Sequence, residues 1–382
     1  MKVGVIGAGR LGICFALLCE QSGYEVIVSD IREDYVNDLN RRKINTNEPE
    51  VENLLRIAKN FRATTNNKEV IDECDLIYTL VSTPSLPDGS YNVSSVWDVV
   101  DCFEDIKEKK YFVVGCTTNP GDCQKFSEKL PSNIKVFYNP EFIAQGSIIN
   151  DLRTADMVLL GCESGNDLII QEIKNLYSKI QTTRSIVCCM SPTAAEITKI
   201  AVNCFLTTKI SYANMLGDVL YQCGCGDEIS NVLTTIGTDT RIGRKYLNYG
   251  FGYGGPCLPR DNRAFAAFAK SVGMQYNLGT VTDEINNQHA NFICNFYEQM
   301  NKDKNPFYFD SIVYKKGTDI LTESQQYRLC IDLLDRGYKV YICNDSRVTP
   351  HIVDQLFYKY GERVRFVDDK KYVTEPVFLI NL

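Results

Sequence analysis

Apolar runs alternate with amphipathic stretches along the first half of the chain. The run K-V-G-V-I-G at residues 2–7 predicts a buried strand, and R-L-G-I-C-F-A-L-L-C-E-Q-S-G predicts a helix that ends at Gly23. A second strand is expected at 24–30, Y-E-V-I-V-S-D. Four more apolar runs predict strands, at residues 75–83, 111–118, 135–140 and 156–161. Because the intervening segments are long enough for helices, we expect a mostly parallel sheet with both faces covered.

From Ser191 the pattern becomes helical and continues to Gly224. Ser191 suits the N-cap, Pro192 the first turn and Gly224 the end of a helix long enough to bridge two domains. Further helical segments extend to about Cys294, interrupted by a glycine-rich loop. A strand–helix–strand pattern follows, with D-S-I-V-Y at 310–314 as its first strand, a helix over 322–338, and K-V-Y-I-C-N-D at 339–345.

These patterns predict an α/β protein with two Rossmann-like, doubly wound domains. The first covers residues 1–189, the second covers 296–382, and a helical middle domain at 190–295 contains the long central helix that joins them. The second domain lacks a G-x-G-x-x-G motif.

Composition and charge narrow the function. With 382 residues, 44% of them hydrophobic, the chain has enough apolar residues for two or three cores. Its net charge of -7 argues against a nucleic-acid surface, which needs clustered cations. No apolar run is long enough to span a membrane and the start does not resemble a signal peptide, so we expect a cytoplasmic location.

The 16 cysteines are scattered, many among apolar neighbours, which favours reduced thiols over a disulfide framework. There is no C-x-x-C pair, and the only histidines, His289 and His351, are far apart in sequence. We therefore expect no zinc site.

The segment G-A-G-R-L-G follows the first strand and opens the first helix. Gly7 permits a tight turn, Gly9 lets the backbone approach a pyrophosphate, and Gly12 lets the helix pack closely on the strand. Asp30, at the end of the second strand, is placed to accept hydrogen bonds from the ribose hydroxyls of NAD and to repel the extra phosphate of NADP. The alternative is a glycine-rich turn without a ligand.

A single cysteine, Cys257, ends the glycine-rich segment G-F-G-Y-G-G-P-C. A thiolate can attack an aldehyde, and the resulting thiohemiacetal can lose a second hydride to give a thioester. This chemistry would convert an alcohol to an acid by a four-electron oxidation. Taken alone, as one thiol among 16, Cys257 is expected to be inert.

The segment G-F-G-Y-G-G-P-C-L-P-R-D at 250–261 resembles the G-F-G-Y-G-G-x-C-x-P-K-D signature of the nucleotide-sugar 6-dehydrogenases. Further segments match in the same order: V-S-T-P at 81–84, N-P-E-F at 139–142, the helix segment at 195–214, D-T-R-I-G at 239–243 and Y-K-K-G-T-D at 314–319. The chain therefore resembles the UDP-glucose/GDP-mannose dehydrogenase family, and within it the short bacterial-type UDP-glucose 6-dehydrogenases.

The resemblance implies NAD-dependent oxidation of UDP-glucose to UDP-glucuronate, with Cys257 as the nucleophile. It assigns Lys199 and Asn203 to the oxyanion, and their i, i+4 spacing independently lets both reach one point. It gives Asp261 and Thr117 a role in holding a water molecule, and Glu141 a role in thioester hydrolysis. Simpler roles stay open, since Lys199 could be a solvated charge, Asn203 a helix contact and Glu141 a loop cap.

The resemblance also implies two sets of binding residues. For NAD they are Gly7, Gly9, Arg10, Leu11, Gly12, Asp30, Thr83, Thr117 and Gln145. For the nucleotide sugar they are Glu141, Phe142, Ile143, Lys199, Asn203, Arg241, Tyr246, Phe251, Gly252, Tyr253, Gly254, Gly255, Cys257 and Lys315. The loop from Phe251 to Gly255 should wrap the diphosphate and sugar, Lys315 should contact the diphosphate, and Arg241 should reach the substrate of a partner subunit in a homodimer formed through the long helix. Lys315 and Arg241 could instead be ordinary surface charges.

Four features depart from the family pattern. Gln145 stands where many members have glutamate, Arg260 replaces the usual lysine, Thr322 falls where arginine is common, and T-T-N-P-G-D replaces T-V-P-x-G-T. These departures leave two alternatives open: the same chemistry on a UDP-N-acetylhexosamine or GDP-mannose, or a weakly active nucleotide-sugar-binding or regulatory protein.

Overall fold

The structure of the protein is a computed structural model that describes residues 1–163, 167–315, 318–343 and 350–380. Lys316 and Gly317 of the Y-K-K-G-T-D segment, and Asn344 and Asp345 at the end of the last predicted strand, lie outside the described residues. The chain divides into two compact units, Met1–Ile200 and Ala201–Leu382. Each unit has its own sheet, which is mostly parallel in the first unit and wholly parallel in the second.

The first unit has a doubly wound sheet with strand order β3-β2-β1-β4-β5-β6-β7-β8. Its strands are β1 Lys2–Ile6, β2 Glu25–Ser29, β3 Phe61–Thr64, β4 Leu76–Thr79, β5 Lys110–Val114, β6 Ile134–Tyr138, β7 Met157–Gly161 and β8 Ile186–Met190. Its helices are α1 Arg10–Gln21, α2 Glu33–Asn40, α3 Val51–Ile57, α4 Asn67–Glu73, α5 Ser94–Asp101, α6 Asp122–Lys129, α7 Ile148–Arg153, α8 Asp167–Ile180 and the beginning of α9 Pro192–Gln222. Neighbouring strands run parallel except β6 and β7, which meet antiparallel at Tyr138 and Gly161.

Helices cover both faces of this sheet. Val3 and Val5 belong to the core on one face, whereas Ile6 belongs to the core on the other. Burial on both faces explains why β1 is a continuous apolar run rather than an alternating one. The six strands predicted in this unit are confirmed. The two edge strands, β3 and β8, were missed, and β8 is partly exposed, so it lacks the buried apolar pattern of the central strands.

The second unit contains the rest of α9 and a four-stranded parallel sheet of order β11-β10-β9-β12. Its strands are β9 Phe307–Phe309, β10 Val340–Cys343, β11 Val364–Val367 and β12 Phe378–Leu379. Its helices are α10 Ile229–Thr238, α11 Leu258–Ser271, α12 Leu278–Met300, α13 Gln325–Asp335 and α14 Pro350–Tyr360, with short 3-10 turns at Gly226–Glu228, Gly361–Arg363 and Lys370–Tyr372. The predicted α/β class with a second Rossmann-like sheet is confirmed.

One predicted strand was wrong. Residues 310–314 do not form a strand, because β9 lies before them at Phe307–Phe309 and pairs there with β10 and β12. Ile312 and Val313 are nevertheless buried, and the Ser324 hydroxyl donates to the carbonyl of Ile312 at 2.7 Å. The apolar pair therefore belongs to a buried loop, which a periodicity argument cannot distinguish from a short strand.

The long helix begins and ends close to the predicted residues, since α9 is Pro192–Gln222 and Gly224 has a φ of +73°. Helix α12 continues through residue 295 to Met300. The division into three domains stays a prediction. In the described parts of the chain, no helix combines the length and hydropathy that a membrane span requires.

Candidate active site

The loop between β1 and α1 has the shape that a dinucleotide pyrophosphate needs. Gly7 has a φ of +94°, and a Cβ there would lie 2.8 Å from the carbonyl oxygen of Leu80. A Cβ on Gly12 would lie 1.9 Å from the Gly7 carbonyl oxygen, so the close approach of α1 requires glycine. A Cβ on Gly9 would meet no atom within 4 Å, so the backbone faces open space at this point.

The first turn of α1 borders this open space. Gly9 is the N-cap and supplies no side-chain hydrogen bond, and the turn contains no acidic residue. A helix N-terminus of this kind attracts an anion through its N–H groups and its dipole. The loop and the helix therefore fit the pyrophosphate of NAD.

Asp30 follows β2 directly and its side chain is only 8% exposed. Burial opposes ionisation of this carboxyl, but hydrogen bonds and charge from Arg32 outweigh it and hold the pKa of Asp30 below its ordinary value. The backbone N–H of Ala8, in the glycine-rich loop, also favours the ionised form. Asp30 is thus a fixed negative charge beside the cofactor loop.

Other predicted cofactor residues lie around this loop. Nη1 of Arg10 donates to Oε1 of Gln145 at 2.7 Å, which connects the start of α1 to the loop after β6. The Thr83 hydroxyl donates to the carbonyl of Thr117 at 2.7 Å, and both threonines are buried. Leu11 packs against the hydrophobic core. The amide at position 145 accepts from Arg10 without placing a negative charge near a dinucleotide.

Glu141 lies in the loop after β6, as Gln145 does, and is partly buried. Burial raises its pKa to about 7, although the Tyr177 hydroxyl and the Lys199 charge act in the opposite direction. Nζ of Lys199 donates to the backbone carbonyl of Glu141 at 2.8 Å and lies 4.5 Å from the ring centre of Phe142. Ile143 packs against the core. A carboxyl with a pKa near neutrality is suited to accepting and releasing a proton.

In the second unit, Cys257 immediately precedes α11 as its N-cap residue and is partly exposed. A thiolate is favoured at a helix N-terminus. One turn later, Asp261 is fully buried, and its carboxylate accepts from Nδ2 of Asn203 at 2.6 Å and from Nε of Arg260 at 3.2 Å. The structure therefore brings Asn203, Asp261 and Arg260 together and anchors them at the helix that Cys257 begins.

The glycine-rich loop before Cys257 is held by side chains from outside it. The Tyr253 backbone N–H donates to Oδ1 of Asn286 at 3.0 Å, and Nδ2 of Asn286 donates back to the Tyr253 carbonyl at 3.1 Å. Cβ atoms on Gly252 and Gly254 would each lie 2.2 Å from an oxygen atom, and one on Gly255 would lie 2.5 Å from the ring of Tyr314. The ring of Phe251 packs on the core of this unit. The loop therefore has one tightly supported shape.

His289 fixes the start of this loop, since its Nε2 lies 2.8 Å from the carbonyl oxygen of Gly250. Its Nδ1 lies 2.8 Å from Oδ2 of Asp218, and the Tyr249 hydroxyl donates to Oδ1 of Asp218 at 2.9 Å. The ring is only 2% exposed.

Three predicted substrate residues are exposed and belong neither to the residues around Glu141 nor to those around Asp261. Arg241 pairs with Asp239 two residues away, Tyr246 is 48% exposed, and Lys315 is exposed at the edge of the described range. Thr322, one of the departures, is also exposed. Across the described residues, no three His, Cys, Asp or Glu side chains are grouped as a metal site would require.

Sequence reasoning missed the residues that support the site. Tyr177 on α8 and Asn286 and His289 on α12 gave no signal, because each lies in an ordinary helical pattern. Asn139 stands in the N-P-E-F segment but was given no role. Only the fold shows what these side chains contact.

Comparison with known proteins gives matches over most of the chain. Residues 1–181 match the family model described as the UDP-glucose/GDP-mannose dehydrogenase family, NAD binding domain. Residues 193–288 match the central domain of the same family.

Among curated proteins, the UDP-glucose 6-dehydrogenase AglM of Haloferax volcanii is 27% identical, over 89% of this chain and 82% of the relative. The UDP-glucose 6-dehydrogenase of Pseudomonas aeruginosa is also 27% identical, over 89% of this chain and 78% of the relative. Among solved structures, a UDP-glucose dehydrogenase from Pyrobaculum islandicum superposes with a TM-score of 0.82 at 25% identity, covering 96% of this chain and 86% of that one. A UDP-D-ManNAc dehydrogenase from Pyrococcus horikoshii has the same fold, with a TM-score of 0.77 at 19% identity over 99% of this chain and 97% of that one.

Proposed function

Because the chain belongs to the UDP-glucose/GDP-mannose dehydrogenase family, whose members are NAD-dependent nucleotide-sugar dehydrogenases, we propose that it oxidises the C6 hydroxyl of UDP-glucose to the carboxylate of UDP-glucuronate. The observation that carries this proposal is the position of Cys257 at the start of α11, with the Asn203–Asp261 pair one turn further on. Relatives named UDP-glucose 6-dehydrogenase support the choice of sugar.

The proposed reaction has two oxidation steps separated by a covalent bond to Cys257. Asp261 and Thr117 hold the water that takes the proton of the C6 hydroxyl in the first step. The Cys257 thiolate then attacks the aldehyde carbon, and Lys199 and Asn203 stabilise the oxyanion of the thiohemiacetal. NAD, when bound, supplies the hydride acceptor for each oxidation.

Hydrolysis completes the reaction. Water attacks the thioester carbon, its proton passes to Glu141 or Asp261, the carbon–sulfur bond breaks, and the Cys257 thiolate leaves. Because Glu141 has a pKa of about 7, it is ionised often enough near neutral pH to act as this base.

In the proposed complex, the NAD pyrophosphate would lie at Gly7, Gly9 and Gly12, and the ribose would lie at Asp30. The backbone from Phe251 to Gly255 would hold the nucleotide sugar, with Lys315 near the diphosphate. The rigid support of this loop favours recognition by backbone groups, since glycine leaves the peptide N–H groups accessible.

We also propose a homodimer formed through α9. Phe205, Tyr212, Met215 and Val219 recur at intervals of three, four and seven residues and are between 39% and 65% exposed. Such a stripe lies on one helix face and favours association. If the proposal is right, Phe205→Glu together with Val219→Glu lowers the mass measured by sedimentation; a wild-type monomer at micromolar concentration contradicts it.

The function is tested by incubating the purified chain with NAD and UDP-glucose and measuring NADH and product. We expect two NADH per sugar and UDP-glucuronate. A panel with UDP-N-acetylmannosamine and GDP-mannose identifies the sugar, and absence of NADH with every member contradicts a dehydrogenase role. If another sugar nucleotide of the panel is oxidised faster than UDP-glucose, that sugar nucleotide is the substrate, and the proposed four-electron oxidation through Cys257 is unchanged.

A further inference from the structure

Glu141 has a hydroxyl partner, Tyr177, that belongs to none of the site segments. Tyr177 lies on α8 and is 2% exposed. Its hydroxyl contacts Oε1 of Glu141 and also lies 2.8 Å from Oδ1 of Asn139. A second hydroxyl, that of Tyr78 on β4, lies 3.2 Å from the same Asn139 oxygen. Two tyrosines therefore share one amide oxygen, and only Tyr177 also reaches the carboxylate.

The orientation of the Asn139 amide is fixed by a group that can only accept. Nδ2 of Asn139 donates to the backbone carbonyl of Leu159 at 3.1 Å. The amide oxygen must therefore face Tyr78 and Tyr177 as an acceptor. A tyrosine hydroxyl has a single proton, so Tyr177 cannot donate to Asn139 and to Glu141 at the same time.

Two proton arrangements satisfy every group. When Glu141 is ionised, Tyr177 donates to it and Tyr78 alone donates to Asn139. When Glu141 is protonated, its own proton is donated to the oxygen of Tyr177, and the Tyr177 proton turns to Asn139. The carboxyl of Glu141 can thus change its charge without leaving a polar group unpaired, which would be unfavourable in a site shielded from water.

We propose that Tyr177 is a positioning residue for Glu141, and that its hydroxyl turns between Glu141 and Asn139 as Glu141 takes up and releases the proton of the hydrolytic water. The proposal rests on the proposed role of Glu141 in thioester hydrolysis. In that step the water proton goes to Glu141, the oxygen bonds to the thioester carbon and the Cys257 thiolate leaves; the Glu141 proton then passes to solvent.

The electrostatics agree with this assignment. Burial raises the pKa of Tyr177 well above its usual range, so the hydroxyl stays neutral throughout. The pKa of Glu141 is about 7 with the Tyr177 hydrogen bond opposing the effect of burial. Removal of that bond should therefore raise the pKa of Glu141 further.

The test compares Tyr177→Phe with Tyr78→Phe, which removes the other hydroxyl from the same amide oxygen. After one turnover, the decay of the Cys257 acyl-enzyme is followed by intact mass as a function of pH. We expect the acid limb of the pH profile of this decay rate to lie about one pH unit or more higher in Tyr177→Phe than in the wild type, because Glu141 has lost a hydrogen bond to its charged form. The Tyr78→Phe limb should move less, because Tyr78 acts on Glu141 only through the shared oxygen of Asn139. Equal movement of both limbs, or none, overturns the proposal.

A second measurement needs neither substrate nor NAD. The infrared carboxyl band of Glu141, identified by its loss in Glu141→Gln, can be titrated directly. Tyr177→Phe should move this titration to higher pH, and 3-fluorotyrosine at position 177, a better donor of the same shape, should move it lower. If Tyr177→Phe does not fold, the fluorotyrosine protein decides: an unchanged titration overturns the proposal. If the wild type oxidises no sugar, the proposed function fails, but the titration still tests the coupling of Tyr177 to Glu141.

Discussion

Arg32 holds the carboxylate of Asp30 at two points, with Nε 2.8 Å from Oδ1 and Nη2 2.9 Å from Oδ2. The pair lies at the end of β2, where the ribose of a dinucleotide would lie. The guanidinium that could attract a 2′-phosphate is therefore already paired with a carboxylate that repels one. This relationship favours NAD over NADP.

Replacing Asp30 should relax that preference. In Asp30→Ser the repulsion is lost and Arg32 can turn to a 2′-phosphate, so the ratio of NADP to NAD affinity should rise about tenfold or more. Binding of each dinucleotide, measured by calorimetry, gives the ratio. The control is Asp30→Ser with Arg32→Ala, in which only the loss of repulsion remains and the gain should be smaller; an equal gain in the double variant would show that Arg32 has no part in cofactor choice.

The role of Cys257 predicts that Cys257→Ser binds cofactor and sugar but stops net turnover. A serine hydroxyl is a poorer nucleophile than a thiolate at neutral pH. NADH yield and intact mass are the measurements, and any species that accumulates should be the aldehyde or an acyl-enzyme. The exposed Cys225 provides the control, because Cys225→Ser should behave like the wild type. Two NADH per sugar at the wild-type rate from Cys257→Ser would remove the covalent mechanism.

Lys199→Ala should lower kcat about a hundredfold to a thousandfold if Lys199 is an oxyanion donor. Steady-state kinetics separate this role from uniform substrate binding, which would change KM instead. A normal kcat with a raised KM would assign Lys199 to binding alone.

The raised pKa of Glu141 predicts a pH-dependent stability. Its folded pKa of about 7 lies above the ordinary 4.5, so the folded state binds this proton more tightly than the unfolded state does. The wild type should therefore lose about 2–3 kcal/mol of unfolding free energy as pH rises through this window. Glu141→Gln should not, so its stability relative to the wild type should increase from pH 5 to pH 8 in urea unfolding. The exposed Glu172 is the control, since Glu172→Gln should show no such trend.

The sequence predicted what depends on local pattern. The strand–loop–helix context of Gly7, Gly9 and Gly12 is contiguous, so its geometry followed from the residues themselves. The sequence also placed Cys257 at the end of the glycine-rich segment, whereas its position at the start of α11 is a finding of the structure. The contact of Tyr177 with Glu141 could not be predicted, because nothing in the sequence of α8 distinguishes a core tyrosine from one that contacts a carboxylate. The strand at 310–314 was misplaced for a related reason, since Ile312 and Val313 are buried without being paired.

The cofactor loop also depends on a strand that is made much later in synthesis. Strand β1 pairs with β4 through Val3 and Leu76, and the Leu80 N–H donates to the carbonyl of Ile6 at 2.8 Å. The same Leu80 backbone forms the wall against which Gly7 turns. When only β1, α1 and β2 have left the ribosome, the edge of β1 that later pairs with β4 is still exposed. The Leu80 backbone that Gly7 packs against is also still missing. The residues of the dinucleotide-binding motif have all been synthesised once the chain reaches Asp30. The binding surface that they form is complete only after Leu80 has been synthesised and has packed against Gly7.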